Sequence, residues 1–181
     1  MIKTDIFSES QKKLFDLFRN QSWISDFYLA GGTALSLLIG HRKSDDFDFF
    51  NSKKFKNDLI LKNISDICNF NLLSEDVNTL YISIDNIRFS FISHQYNVLE
   101  PFLKTDYLNI SNIRDIACNK LSAISSRGSK KDFIDLYFIL KTYNIEDLFV
   151  DYKTKYGVDY FNEYLLLKSL VYFEDAEFFQ C

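Results

Sequence analysis

Leu29-Ala-Gly-Gly-Thr-Ala-Leu35, followed by Arg42-Lys-Ser-Asp-Asp-Phe-Asp-Phe-Phe50, is the stretch on which the fold turns. The apolar run Phe27-Tyr-Leu-Ala30 ends in Gly31-Gly32, the pattern of a buried strand meeting a tight turn. Thr33 opens a short apolar segment that closes near Gly40, which predicts a helix with a glycine end. Residues 46–50 alternate acid and aromatic. A strand there carries Asp46 and Asp48 on one face and anchors Phe47 and Phe49 in the core. Strand, glycine turn and helix together put unblocked backbone N–H groups and a helix N-terminus at the mouth of a sheet, a ready site for an anion.

The acids supply the complementary chemistry. Asp45 adjoins Asp46 and Asp48, and clustered carboxylates repel one another unless a cation compensates them. Paired hard oxygen donors suit Mg²⁺ (or Mn²⁺), which takes one or two carboxylates and fills its shell with substrate phosphates. D-x-D alone also describes an ordinary wetted strand face, and Gly-Gly-Thr alone an ordinary helix start. In series they describe a phosphate cradle facing a metal pair. Gly31, Gly32 and Thr33 are the candidate cradle, with Thr33 offering a hydroxyl, and Arg42 and Ser44 lie in the loop before the acids.

Outward from this centre, helical spacing covers residues 8–20, with Ser8 or Ser10 as cap, and residues 53–65. Leu80-Tyr-Ile-Ser-Ile84 and Ile87-Arg-Phe-Ser-Phe-Ile92 flank Asp85-Asn86, a two-residue hairpin. From Ser111 the period becomes helical, with helices expected near 111–126, 130–143, 145–156 and 159–173. The expected architecture is α/β (α+β): a small mixed sheet with flanking helices, plus a C-terminal helical lobe. No Gly- or Pro-rich linker interrupts the chain, so residues 1–181 read as one domain with lobes of about 1–108 and 109–181.

Two features of the helical half stand out. Lys120 falls inside the apolar stripe of Ile113, Ile116, Ala117, Leu121 and Ile124, where an ammonium must meet an anion or reach solvent along its stem. Asp132 and Asp135 share a face of the next helix. Asp132 suits the helix start, whereas Asp135 calls for a cation such as Arg127, Lys120 or Lys131. Arg127-Gly-Ser-Lys-Lys131 is a basic inter-helix loop, either a solvated turn or a nucleic-acid or triphosphate contact. His41 and His94 have no spacing partner and read as ordinary residues.

Composition bounds the rest. The 181 residues carry a net charge of −4, are 47 % apolar and include 19 Phe and 11 Tyr, enough for a full core and too acidic for a broadly basic nucleic-acid module. No apolar run reaches a membrane span, and the first residues lack a signal peptide's apolar stretch, so the chain is expected to start at Met1 and to be cytoplasmic without membrane contact. Cys68, Cys118 and Cys181 are unpaired in spacing and read as thiols in a reducing compartment. The C-terminal aromatics (Tyr152, Tyr156, Tyr160, Phe161, Phe173, Phe178, Phe179) read as a core-facing stripe, with a partner surface as the alternative.

Four ordered blocks, L-A-G-G-T-A-L (29–35), R-K-S-D-D-F-D-F-F (42–50), D-I-A-C-N-K-L-S-A-I (115–124) and R-G-S-K-K-D-F-I-D-L-Y-F-I-L (127–140), resemble the nucleotidyltransferase-type toxins of the AbiEii family. The resemblance implies a minimal polymerase-β-like nucleotidyltransferase fold and NTP as substrate. It implies that Gly32 and Thr33 hold triphosphate, Asp46 and Asp48 bind Mg²⁺, Lys120 contacts the phosphates and Asp132 is a catalytic acid. It also implies a cognate antitoxin and, for some members, a tRNA acceptor. One departure stands out: the polar face of 87–92 shows Arg88 and Ser90 where broader nucleotidyltransferases carry a third carboxylate. Transfer to a small antibiotic-type hydroxyl compound, or a non-catalytic binding protein on the same fold, are the alternative readings.

Overall fold

A computed structural model of the chain describes residues 2–126, 128–174 and 176. They fall into two compact units: the first takes residues 1–95 and 102–111, the second residues 96–101 and those from 112 onward. Residues 96–101 thus belong to the second unit, between two stretches of the first.

The first unit is built on a seven-stranded mixed sheet, in the order β3-β4-β5-β2-β1-β7-β6. Its strands are β1 (Tyr28–Ala30), β2 (Phe47–Asn51), β3 (Asn71–Asp76), β4 (Thr79–Ile84), β5 (Ile87–Ser93), β6 (Leu103–Thr105) and β7 (Leu108–Ile110). β2 runs antiparallel to β1 and parallel to β5. The β4–β5 hairpin turns on Asp85 and Asn86, both at positive φ (51° and 63°), the backbone that a two-residue hairpin matching strand twist requires. Alternation drives Phe47 and Phe49 of β2 and Phe89 and Phe91 of β5 to the same face, where their rings stack in register (Phe47–Phe89 4.9 Å, Phe49–Phe91 5.1 Å). Helix α1 (Glu9–Arg19) lays Phe18 on this ladder, 4.9 Å from Phe89. Ser8 and Gln11 close α1 with a capping box. Helices α2 (Gly31–Ile39) and α3 (Asn57–Ser65) complete the unit.

Three strands lie outside the sequence reading. All six residues of β3 are exposed, so no burial alternation marks it. β6 and β7 are three residues each, shorter than any period can show, and turn at Asp106 with φ +49°.

The second unit is helical: α4 (Ile113–Ser126), α5 (Lys130–Ile139), α6 (Ile145–Tyr156) and α7 (Glu163–Leu170). The expected helix over 159–173 is shorter, because Gly157 at φ +96° ends α6, residues 158–160 form a 3-10 turn, and Asn162 caps α7 by accepting from the Leu165 N–H at 2.9 Å. Among the C-terminal aromatics Tyr152 is buried, whereas Tyr160 is 77 % and Phe173 55 % exposed, which corrects the expectation of a core stripe there. Phe178, Phe179, Cys181 and Arg127 lie outside the described residues. Among the described residues, no helix is long and apolar enough to cross a membrane.

Candidate functional site

β1 delivers the chain to Gly31, which opens α2 at φ +66°. A Cβ on Gly31 would run into the carboxylate of Asp48, so glycine serves here both the backbone angle and the close approach. No side chain caps α2 at its start. The first N–H groups of a helix lack intrahelical acceptors, and the helix dipole adds partial positive charge at that end. The uncapped, positive end of α2 thus abuts the Asp48 carboxylate.

Strand register fixes what flanks Asp48. Ala30 lies opposite it on β1 and Ser90 beside it on β5. Ser90 donates its hydroxyl to Asp48 Oδ1 at 2.6 Å, so the β5 residue beside Asp48 is a neutral donor rather than a third carboxylate. Among the described residues no cation pairs with Asp48. Asp46 and Asp48 are each half-buried and alternate with the buried Phe47 and Phe49. Asp46 borders a cleft of about 530 Å³ that Asp5, Asp45 and Lys43 also line.

Thr33 and Ser44 act inward. Thr33 is 1 % exposed; its hydroxyl donates to the Asp46 carbonyl and lies 2.8 Å from Ser44 Oγ, while the Ser44 carbonyl accepts from Gln11 Nε2 at 2.6 Å. This chain of bonds ties α1, α2 and the loop before β2 together. The Thr33 and Ser44 hydroxyls thus bond within the protein, beside the uncapped start of α2. Arg42 is half-buried and donates from Nη1 to the Lys43 carbonyl at 2.8 Å.

The donor set fits a hard divalent ion of restricted demand. Asp46 and Asp48, two residues apart in the chain, offer carboxylate oxygens, and among the described residues no group of three His, Cys, Asp or Glu could hold a metal. Mg²⁺ suits this arrangement, because it binds through one or two carboxylates and completes its shell with water and substrate phosphate.

In the second unit, Lys120, Asp132 and Asp135 form a separate cluster. The Lys120 ammonium sits 2.8 Å from Asp132 Oδ1 and 2.7 Å from Asp135 Oδ2, and Asp132 Oδ2 also accepts from Ser129 Oγ at 2.6 Å. All three charged side chains are buried. The anion that Lys120 required on its apolar stripe is internal: an ion pair, rather than a ligand contact, occupies it.

Sequence reasoning missed a second buried network in this unit. Lys155 pairs with Asp115 and donates to the Asn97 carbonyl at 3.1 Å, while Asp115 Oδ2 accepts from the Leu99 N–H at 2.9 Å. Arg114 forks onto Asp151 through Nε and Nη2 at 2.6 and 2.5 Å, which holds the guanidinium pKa above its usual value. The signal was available: Lys155 follows Leu148 and Tyr152 at helical spacing, the same anomaly as Lys120. Nearby, burial, reinforced by the Asp151 charge, pushes the Cys118 thiol up to about 12. It is thus protonated and inert at neutral pH.

Residues 13–107 match the family described as "Nucleotidyl transferase AbiEii toxin, Type IV TA system". An uncharacterized protein of Aquifex aeolicus, aq_aa25, is 43 % identical over 159 residues, covering 84 % of this chain and 76 % of that one. Among solved structures, JHP933 from Helicobacter pylori superposes with a TM-score of 0.57 at 19 % identity, covering 91 % of this chain and 90 % of its own. The Megavirus polyadenylate synthase gives 0.50 at 14 % identity, covering 77 % of this chain and 34 % of the synthase. These structures show a shared fold.

Proposed function

The chain belongs to the AbiEii family of nucleotidyltransferase toxins of type IV toxin–antitoxin systems, and from that premise we propose that it transfers the nucleoside monophosphate of an NTP to an RNA hydroxyl, a tRNA end in particular, in the presence of Mg²⁺. It is a nucleotidyltransferase and a toxin, with an antitoxin as its genetic partner. The observation that carries the finer reading is the juxtaposition of Asp48, without a cationic partner among the described residues, and the uncapped start of α2 at Gly31.

Backbone N–H groups of Gly31, Gly32 and Thr33 hold the triphosphate oxygens, helped by the helix dipole. Asp46 and Asp48 would hold the Mg²⁺, which when bound neutralises charge on the phosphates. Ser90 orients Asp48 by donating to one oxygen and leaving the other toward the glycine turn. The acceptor oxygen attacks the α-phosphorus, the bond from that phosphorus to the bridging oxygen breaks, pyrophosphate leaves, and the hydroxyl proton passes to solvent. Such a step depends mainly on positioning and charge neutralisation, so the neutral Ser90 in place of a third carboxylate is compatible with it. Arg42, in the loop before β2, is assigned to the nucleotide as an auxiliary cation. Lys120 and Asp132 pair with each other inside the helical unit. The free thiols Cys68 and Cys118 fit a reducing cytoplasm.

The test is incubation of the protein with each α-labelled NTP, Mg²⁺ and total tRNA, beside Asp48→Asn. Label in tRNA from wild type alone, at unchanged melting temperature, is the expected result; labelling by both proteins or by neither overturns the reading. One observation favours a second acceptor class. The cleft lined by Asp5, Asp45 and Asp46 is acidic and would suit a small cationic hydroxyl compound. Salt separates the two, because binding through many phosphates weakens steeply with ionic strength.

A further inference from the structure

The end of the sheet remote from Asp48 carries a second concave feature. β2 leaves the sheet at Asn51, and the chain runs Ser52-Lys-Lys-Phe-Lys56 into α3. This loop is pinned at three points. The Lys53 N–H donates to Asn51 Oδ1 at 2.8 Å, Ser93 Oγ donates to the Lys53 carbonyl at 3.2 Å, and the Phe55 N–H donates to Asn78 Oδ1 at 2.7 Å. The side chains of Lys53, Lys54 and Lys56 are exposed, and among the described residues none has a carboxylate partner. They border a cleft of about 580 Å³ whose walls include Trp23, Tyr28 and Phe102. Asp26 is the one carboxylate among the lining residues. Phe102 stacks on Tyr28 with centroids 4.6 Å apart and planes inclined by 23°, so its ring orientation is set in advance. Lys56 is also the N-cap of α3, which no side chain caps, so the positive end of that helix opens on the same loop.

Cations carried on a pinned loop beside an oriented ring match a chain that alternates phosphates with flat bases. An isolated phosphate needs no ring, and a duplex hides its base faces. In a protein of net charge −4 three unpartnered lysines on a rigid loop are also a local exception. We propose that this cleft binds a single-stranded segment of RNA, with Lys53, Lys54 and Lys56 on its phosphates and a base against Phe102. The inference extends the acceptor reading above and rests on it only for the choice of RNA as the polyanion. β2 runs from Asp48 to Asn51, about 10 Å at strand rise, so the cleft and the carboxylate lie within reach of one short oligonucleotide.

The test is fluorescence anisotropy of a labelled single-stranded oligoribonucleotide against the full chain over a series of salt concentrations. Three variants are compared: Lys53→Glu/Lys54→Glu/Lys56→Glu, Phe102→Ala, and a charge-matched control, Lys12→Glu/Lys13→Glu/Lys104→Glu, with melting curves for each. The loop variant is expected to bind at least tenfold more weakly, with a log–log salt slope shallower by about 2, since each single-strand phosphate contact contributes ~0.7. Phe102→Ala is expected to lose about five- to a hundredfold affinity at unchanged slope, the signature of a lost base stack. Equal weakening by the loop and control variants, unchanged binding by the loop variant, or equal binding of duplex RNA overturns the proposal. Binding and transfer fail separately. Cleft-dependent binding without labelled tRNA would sink the acceptor reading alone, and labelling by the loop variant with unchanged RNA affinity would sink the cleft alone.

Discussion

Asp48 in the first unit and the Asp132–Asp135 pair in the second are carboxylates of the same chemistry in opposite circumstances. Asp48 is half-buried, is braced by the neutral hydroxyl of Ser90, and abuts backbone donors at Gly31. Asp132 and Asp135 are 2 % and 0 % exposed and share one ammonium, that of Lys120. A carboxylate with a built-in cation is finished when the chain folds; one without it is completed by what arrives later. On the function proposed above, charge that supports folding and charge that supports chemistry differ by partner rather than by residue type.

Substitutions that swap the consequences would break this contrast. The largest effect is expected on activity: Asp48→Asn should lower nucleotidyl transfer by at least about a hundredfold, the scale of losing a principal charge-stabilising group, with melting temperature unchanged or raised. Next, Lys120→Met removes the ammonium that the buried Asp132 and Asp135 share. Removing one partner of a buried pair costs about 3–5 kcal/mol, so thermal unfolding should move down by roughly 10 °C. A variant of Asp48 that unfolds the protein, or of Lys120 that melts like wild type but loses turnover, would reverse the two assignments.

Gly31→Ala sharpens the comparison at an intermediate scale. A non-glycine residue at φ +66° costs about 1–2 kcal/mol, and the new methyl group displaces the Asp48 carboxylate, so turnover should fall more than stability does. Ser90→Ala removes a single hydrogen bond, about 1 kcal/mol, and should reduce turnover roughly tenfold or less. Ser90→Asp should instead tighten Mn²⁺ binding, read by water-proton relaxation, because it places a further carboxylate beside Asp48. The smallest effect at neutral pH is that of Cys118. Its folded pKa of about 12 lies above that of an unfolded thiol, so the native state retains a proton that the unfolded state gives up. The associated stability is fully present below about pH 8.5 and is lost as pH rises toward 12. Denaturant midpoints should therefore be flat from pH 7 to 8.5 and fall above it, with a shallower fall in Cys118→Ala.

Legibility in the sequence followed the strength of local pattern. The acid–aromatic alternation of residues 46–50 announced β2, Asp85-Asn86 announced the hairpin, and the helical period after Ser111 announced α4, α5 and α6. β3 stayed hidden because all its residues face solvent, and β6 and β7 because three residues carry no period. Of the candidate site, Gly31, Asp46 and Asp48 were visible as types, but their division of labour was not. That Thr33 and Ser44 hydroxyls would be consumed by the Asp46 carbonyl and by each other depends on how the loop folds back on α2, which no spacing encodes. Lys120 showed the need for an anion; only packing shows that Asp132 and Asp135 meet it. Lys155 carried the same signal on a second helix and went unread.

The excursion of residues 96–101 also sets a timetable. The Asn97 carbonyl waits for the Lys155 ammonium, 58 residues further along the chain, and the Leu99 N–H waits 16 residues for Asp115. At the pace of a ribosome that first interval is on the order of 3–12 s. Throughout it, the strands up to β5 have been made while this short piece has yet to meet its partners. A fragment cut to begin at residue 112 would never receive that piece, and Asp115 and Lys155 would be left to face a missing backbone. The helical unit is in this sense contiguous in space but borrowed in part from an earlier moment of synthesis.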